Sequence, residues 1–73
     1  MISNINYFEE EAKLIISTTS GSKRTKYSYR DIPLILYNQI FQLHKRSLEG
    51  KIWKLLKNCD FEKIENINKE EER

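Results

Sequence analysis

Aromatic and polar positions alternate every second residue over Lys26–Arg30, and from Leu36 the apolar positions recur every third or fourth. The first period is that of a strand and the second that of a helix. A strand is predicted over Ile2–Phe8, with Ile5 and Tyr7 on one face. A second is predicted over Lys13–Thr19, with Leu14, Ile16 and Thr18 on one face and Ile15 and Ser17 on the other. Three consecutive apolar residues, Leu14-Ile15-Ile16, mark it as an interior strand. In the third strand Tyr27 and Tyr29 share a face, while Lys26, Ser28 and Arg30 share the opposite one. Glu9-Glu10-Glu11-Ala12 reads as a solvated hairpin connection. A helix over residues 7–16 competes, because Glu, Ala, Lys and Leu favour helices, but the run Ile15-Ile16-Ser17-Thr18-Thr19 favours the strand. Thr18-Thr19-Ser20-Gly21-Ser22 is the turn-rich connection into the third strand.

The period changes at the only proline. Pro33 lacks a backbone donor and has a preset φ, so it suits the first helical position, and it pushes Ile32 out of the helical region. Leu36, Tyr37, Ile40, Phe41 and Leu43 or His44 then form one broad apolar face. His44-Lys45-Arg46 sit favourably at that helix's C-terminus. Ser47 is placed to cap a second helix, and Gly50 permits a sharp backbone path at the joint. In the second helix Ile52, Leu55 and Leu56 share one face, and Lys51, Lys54 and Lys57 share another. Beyond Cys59-Asp60, the three-residue spacing of Phe61, Ile64 and Ile67 predicts a short extra helix with Asp60 as its cap. Residues 68–73 are charged at every position after Asn68 and are expected to be disordered. The predicted fold is α+β: a three-stranded antiparallel meander followed by two helices packed on one face, with an acidic C-terminal tail. Residues 1–58 form the compact module, and residues 59–73 form the amphipathic segment and tail.

The pattern Tyr27-x-Tyr29-x-x-Ile32-Pro33-x-x-x-Tyr37, followed by a Ser, a Gly and an aromatic at Trp53, resembles the KTSC domain. That is a small family also found at the C-terminus of some lysyl-tRNA synthetases. The segments Ile5-Asn6-Tyr7-Phe8 and Lys13-Leu14-Ile15-Ile16-Ser17 are similar to the family's two leading strands, so the resemblance covers roughly residues 2–57. Where the family usually has Ser-x-Gly, this chain has Ser47-Leu48-Glu49-Gly50, and the loop before the third strand is longer and more basic. The resemblance implies a small α+β module thought to bind RNA or another ligand, with no established chemistry.

Seventy-three residues suffice for one domain and a limited core, a size at which a disulfide, a metal or a partner chain often supplies extra stability. A single cysteine, Cys59, rules out an intrachain disulfide and fits a reduced thiol in the cytosol. The apolar runs are too short to span a bilayer, and the first residues lack a signal peptide's apolar stretch, so cytoplasmic residence is expected. Assembly with a second copy, as a homodimer or higher homo-oligomer, is the remaining way to enlarge the core. The net charge is +2, but it is unevenly spread. Residues 21–57 carry nine Lys or Arg against Asp31 and Glu49, whereas residues 58–73 carry six acids against three bases. A basic middle between acidic ends fits phosphate or an acidic partner, and fits equally the solvated faces of a strand edge and two helices.

The chemistry available points to binding and away from catalysis. His44 is the only histidine; Ser47 lies three residues on, without an obvious acid or oxyanion device beside them. One Cys and one His cannot close a zinc site, and no spacing makes two carboxylates converge. No cofactor is expected. Aromatic and basic residues interleave, and aromatic faces stack on bases while Arg and Lys neutralise phosphates. The candidate ligand-binding set is Arg24, Lys26, Arg30, Arg46 and Lys51 for charge, with Tyr29, Tyr37 and Trp53 for stacking or walls and Ser47 at the helix joint. The expected ligand is a nucleotide, a cyclic or short oligonucleotide signal, or RNA. Heavy use of Ile, Asn and Lys fits an A/T-rich genome, and so small a chain from such a source fits a phage protein that sequesters a host signalling nucleotide. The alternative is an interaction module that grips an acidic protein partner through its basic belt.

Overall fold

A computed structural model describes residues 1–67, so the disorder expected for residues 68–73 lies outside the described residues. The first three predicted strands are present as β1 (Ile2–Phe8), β2 (Lys13–Ser20) and β3 (Lys23–Tyr29). They pair antiparallel in sequence order, and the two predicted helices follow as α1 (Leu34–Lys45) and α2 (Glu49–Leu55). The extra helix expected over Phe61–Ile67 is instead a strand, β4, antiparallel to β3, with Tyr29 opposite Phe61 and Lys23 opposite Ile67. The result is one four-stranded sheet in the order β1-β2-β3-β4, with both helices inserted between its last two strands. Residues 61–67 therefore belong to the sheet, and the compact module extends past residue 58.

Register follows from two short turns. Glu9–Glu11 form a single 3-10 turn that ends on Ala12 in the left-handed region, φ 51°, whose N–H donates to the Glu9 carbonyl at 3.1 Å. This is the solvated connection predicted, and the ion pair of Lys13 with Glu11 at 3.8 Å sits on its surface. The connection between β2 and β3 is tighter than expected. The strands run to Ser20 and restart at Lys23, leaving Gly21 and Ser22 as the turn, with Gly21 at φ 65°. Gly21 is the residue that adopts this conformation without steric cost. Thr19 and Ser20 therefore join the ladder, opposite Arg24 and Lys23.

One face of the sheet carries the core. Leu14, Ile16, Tyr29 and Ile2 from the strands meet Ile32, Ile40, Ile52 and Leu56 from the junction and the helices. Leu14, Ile16, Ile32, Ile40 and Ile52 are wholly buried, and each contributes roughly 1.5–3 kcal/mol through burial of apolar surface. The strand-to-helix junction is tied down twice. The Tyr7 hydroxyl donates to the Ile32 carbonyl at 2.6 Å, and the Ile32 N–H donates to the Ala12 carbonyl at 2.8 Å. Pro33 stands one position ahead of α1, with extended φ and ψ of −71° and 157°, and its carbonyl accepts from Leu36 and Tyr37. The cap predicted at Ser47 is not made: α2 starts after Leu48 without a side-chain cap. The sharp path assigned to Gly50 belongs to Ser47, at φ 58°, while Gly50 lies inside α2 with open space where a Cβ would stand.

Candidate functional site

The pleat sends neighbouring residues of a strand to opposite faces. On β3, Thr25, Tyr27 and Tyr29 turn toward the helices, and Arg24, Lys26 and Ser28 turn to the helix-free face. Across the β2–β3 ladder, Arg24 pairs with Thr19 and Lys26 with Ser17; across β1–β2, Ser17 pairs with Asn4. The β1–β2 register shifts between Ile2 and Asn4, and there the Ser3 hydroxyl donates to the Ser17 carbonyl at 3.2 Å. These positions enclose an open hollow of about 380 Å³ lined by Ser3, Asn4, Ser17, Thr18, Thr19, Arg24, Thr25 and Lys26.

The lining brings two cations together with hydroxyls and one amide, and it contains no carboxylate. Arg24 and Lys26 sit two residues apart on one face, roughly 7 Å along the strand, far enough apart to engage two different phosphate groups. Arginine supplies a planar fork of donors and lysine a mobile point charge, so the pair suits an oxyanion of adaptable shape. Both side chains are exposed, so their attraction for an anion is screened by salt.

The other predicted site residues are not part of this hollow. Tyr29 is 4% exposed and packs in the core, its ring 5.1 Å from that of Phe61. Burial, then the neighbouring Tyr27 and Cys59, raise its phenol above the usual 10.0. Tyr37 is half-buried and stacks on Tyr7 with centroids 4.4 Å apart and planes at 6°. Trp53 is half-buried and meets the edge of Tyr27 at 5.4 Å. These aromatics wall the core on the helix-bearing side and do not join Arg24 and Lys26. Arg30 is exposed at the end of β3, where its N–H donates to the Asp60 carbonyl at 3.3 Å. Arg46 ends α1, and Lys51 lies on the exposed side of α2. Ser47 lines a second hollow, of about 520 Å³, with Met1, Ile2, His44, Glu49 and Gly50. There the Glu49 carboxylate accepts the Ile2 N–H at 2.7 Å, which makes that hollow a poor host for an anion.

Six lining residues, Ser3, Asn4, Ser17, Thr18, Thr19 and Thr25, are not among the candidates picked out by the sequence pattern. Ser17 and Thr19 were recoverable from the hairpin: a two-residue turn at Gly21-Ser22 sets them opposite Lys26 and Arg24. Phe61 was missed as well, and it completes an aromatic cluster with Tyr27 and Tyr29. Among the described residues no group of three or more His, Cys, Asp and Glu is placed to hold a metal ion. No helix of the described residues is long and apolar enough to cross a membrane. Comparison of the chain with protein-family models, with curated proteins and with solved structures finds no match.

Proposed function

We propose that this protein is a non-enzymatic binding protein that holds a phosphate-bearing ligand, a short RNA strand or a nucleotide, on the helix-free face of its sheet. The observation that carries this reading is the hollow in which Arg24 and Lys26 stand beside Ser17, Thr19 and Asn4. These five residues supply two cations, two hydroxyl donors and an amide, the set that binds phosphate oxygens. The resemblance of the Tyr27–Tyr37 stretch to KTSC domains points the same way. The pleat separates the aromatic rings from the cations, so recognition rests on phosphates and tolerates changes of base.

Fluorescence anisotropy with a labelled single-stranded RNA, with a nucleotide as competitor, tests the proposal. Arg24→Ala/Lys26→Ala is expected to weaken RNA binding at least tenfold. It should also flatten the salt dependence by about 1.4 in log–log slope, roughly 0.7 for each phosphate no longer neutralised. Arg30→Ala should change little. Equal binding by wild type and the double variant overturns the assignment. The alternative of an acidic protein partner predicts no RNA or nucleotide binding, with capture of an acidic protein abolished by the same double variant. Deleting residues 60–73 does not separate the two readings, because it removes β4 from the sheet.

A further inference from the structure

Helix α1 buries one side and leaves the other bare. Leu36, Ile40 and Leu43 pack into the core, while Leu34, Ile35, Asn38, Phe41, Gln42 and Lys45 are exposed. By the helical period these six share one arc, with Asn38 at its middle. Three of them are large and apolar: Ile35 is 71% exposed, Leu34 44% and Phe41 39%. The charge in the arc is Lys45, whose ammonium lies 5.5 Å from the centre of the Phe41 ring. The two ends of α1 differ in sign. His44 and Lys45 occupy the last turn, and Arg46 follows. At the other end stand Asp31 and the acidic turn Glu9–Glu11, which adjoins the helix because the Ala12 carbonyl accepts the Ile32 N–H. Lys13 sits beside Glu11 and Arg30 precedes Asp31, but Glu9, Glu10, Glu11 and Asp31 outnumber these bases.

We infer that this arc of α1 is a self-association surface, and that its occupant is the α1 of a second copy, antiparallel about Asn38. A two-fold axis through Asn38 sets residues equally far before and after it opposite each other. Ile35 then meets the partner's Phe41, and Leu34 meets the partner's Gln42, each contact occurring twice. Asn38 meets its own copy, and two amides exchange hydrogen bonds across the axis; one such polar residue in a helix–helix seam fixes its register. Lys45 follows the axis by seven residues and Asp31 precedes it by seven, so each basic end reaches the partner's acidic end. A parallel pair sets bases against bases and acids against acids, and Coulomb repulsion opposes it. A partner of one charge sign suits only one end of the arc, whereas a second copy suits both ends and covers the three apolar side chains between them. The helices stand on the core side of the sheet, away from Arg24 and Lys26, so this self-association is independent of phosphate binding.

Sedimentation and native mass spectrometry of the full chain test it. A dimer is expected at about 100 µM, a concentration that fills an interface of roughly micromolar dissociation constant. Ile35→Asp sets a carboxylate against the partner's Phe41 and is expected to weaken the dimer at least tenfold. Because Ile35 is 71% exposed in the single chain, circular dichroism of this variant should match the wild type. In a Cys59→Ser background, Asn38→Cys should cross-link two copies under mild oxidation, because position 38 faces itself across the axis. Gln39→Cys, one residue further round the helix, should cross-link far more slowly. Direction is read by mixing: Leu34→Cys and Gln42→Cys should cross-link to each other faster than either does to itself. A monomeric wild type overturns the inference. So does a dimer indifferent to Ile35→Asp, equal cross-linking at 38 and 39, or self-linked Leu34→Cys outpacing the mixed species.

Discussion

At the scale of single residues, the chain places its two glycines in opposite situations. Gly21 holds φ 65° in a two-residue turn, whereas Gly50 sits in the first turn of α2 with nothing within 4 Å of the place a Cβ would take. Gly50→Ala is therefore expected to raise stability by about 0.5–1 kcal/mol, through helix propensity and a less disordered unfolded chain. Gly21→Ala is expected to lower it by about 1–2 kcal/mol, through strain in the left-handed region. Urea titration of both variants checks the opposite signs. Tyr29 supplies a pH signature. Its phenol is raised by burial first, then by Tyr27 and Cys59, so ionisation is easier in the unfolded chain than in the folded one. The folded state thus keeps its full advantage below pH 10.0, the usual tyrosine value, and loses it as pH rises beyond that value through the folded pKa. Thermal melts from neutral to alkaline pH should fall more steeply for the wild type than for Tyr29→Phe.

At the scale of elements, ties between distant segments matter as much as local propensity. α2 is two turns long and lacks a side-chain N-cap, yet Glu49 in its first turn accepts the Ile2 N–H. That bond fastens α2 to the start of β1. Glu49→Ala leaves the donor unpaired and is expected to cost about 1–3 kcal/mol, with amide exchange accelerated most at Ile2 and through α2. The same scale explains why β4 reads as a helix from sequence. Phe61, Ile64 and Ile67 are spaced by three, a helical interval, but in a strand that spacing sets Phe61 and Ile64 on opposite faces. An edge strand with exposure on both sides has no inner face to enforce alternation, so its pattern lacks period two. The meander was legible because Leu14 and Ile16 are buried on a covered face, and α1 because Leu36, Ile40 and Leu43 follow the helical period.

At the scale of the whole molecule, the sheet has one face committed to the core and one that no helix of the described residues covers. Charge composition announced a basic middle, but the partition of that charge depends on the pleat and on the helix positions. Interleaved tyrosines and bases look like one site in the sequence; in β3 the strand itself segregates them, Tyr27 and Tyr29 inward, Arg24 and Lys26 outward. Arg30, Arg46 and Lys51 lie at the strand end, the helix joint and α2, outside the lining of the hollow. The phosphate-binding test thus bears on Arg24 and Lys26 alone, and a scan over the other bases should leave affinity within a few-fold. Of the hydroxyl-bearing partners, Thr19 was hidden because its run reads as turn composition, and Ser17, placed on the second face of its strand, had no cation opposite it until the hairpin register was fixed.

The order of the strands also bears on how the molecule forms. β1, β2 and β3 are joined by short turns, so their ladders close small loops and assemble early. β4 reaches its place beside β3 only after both helices have been laid down between them. Closing that larger loop costs more chain entropy than closing either short turn, so the β3–β4 ladder is expected to form last.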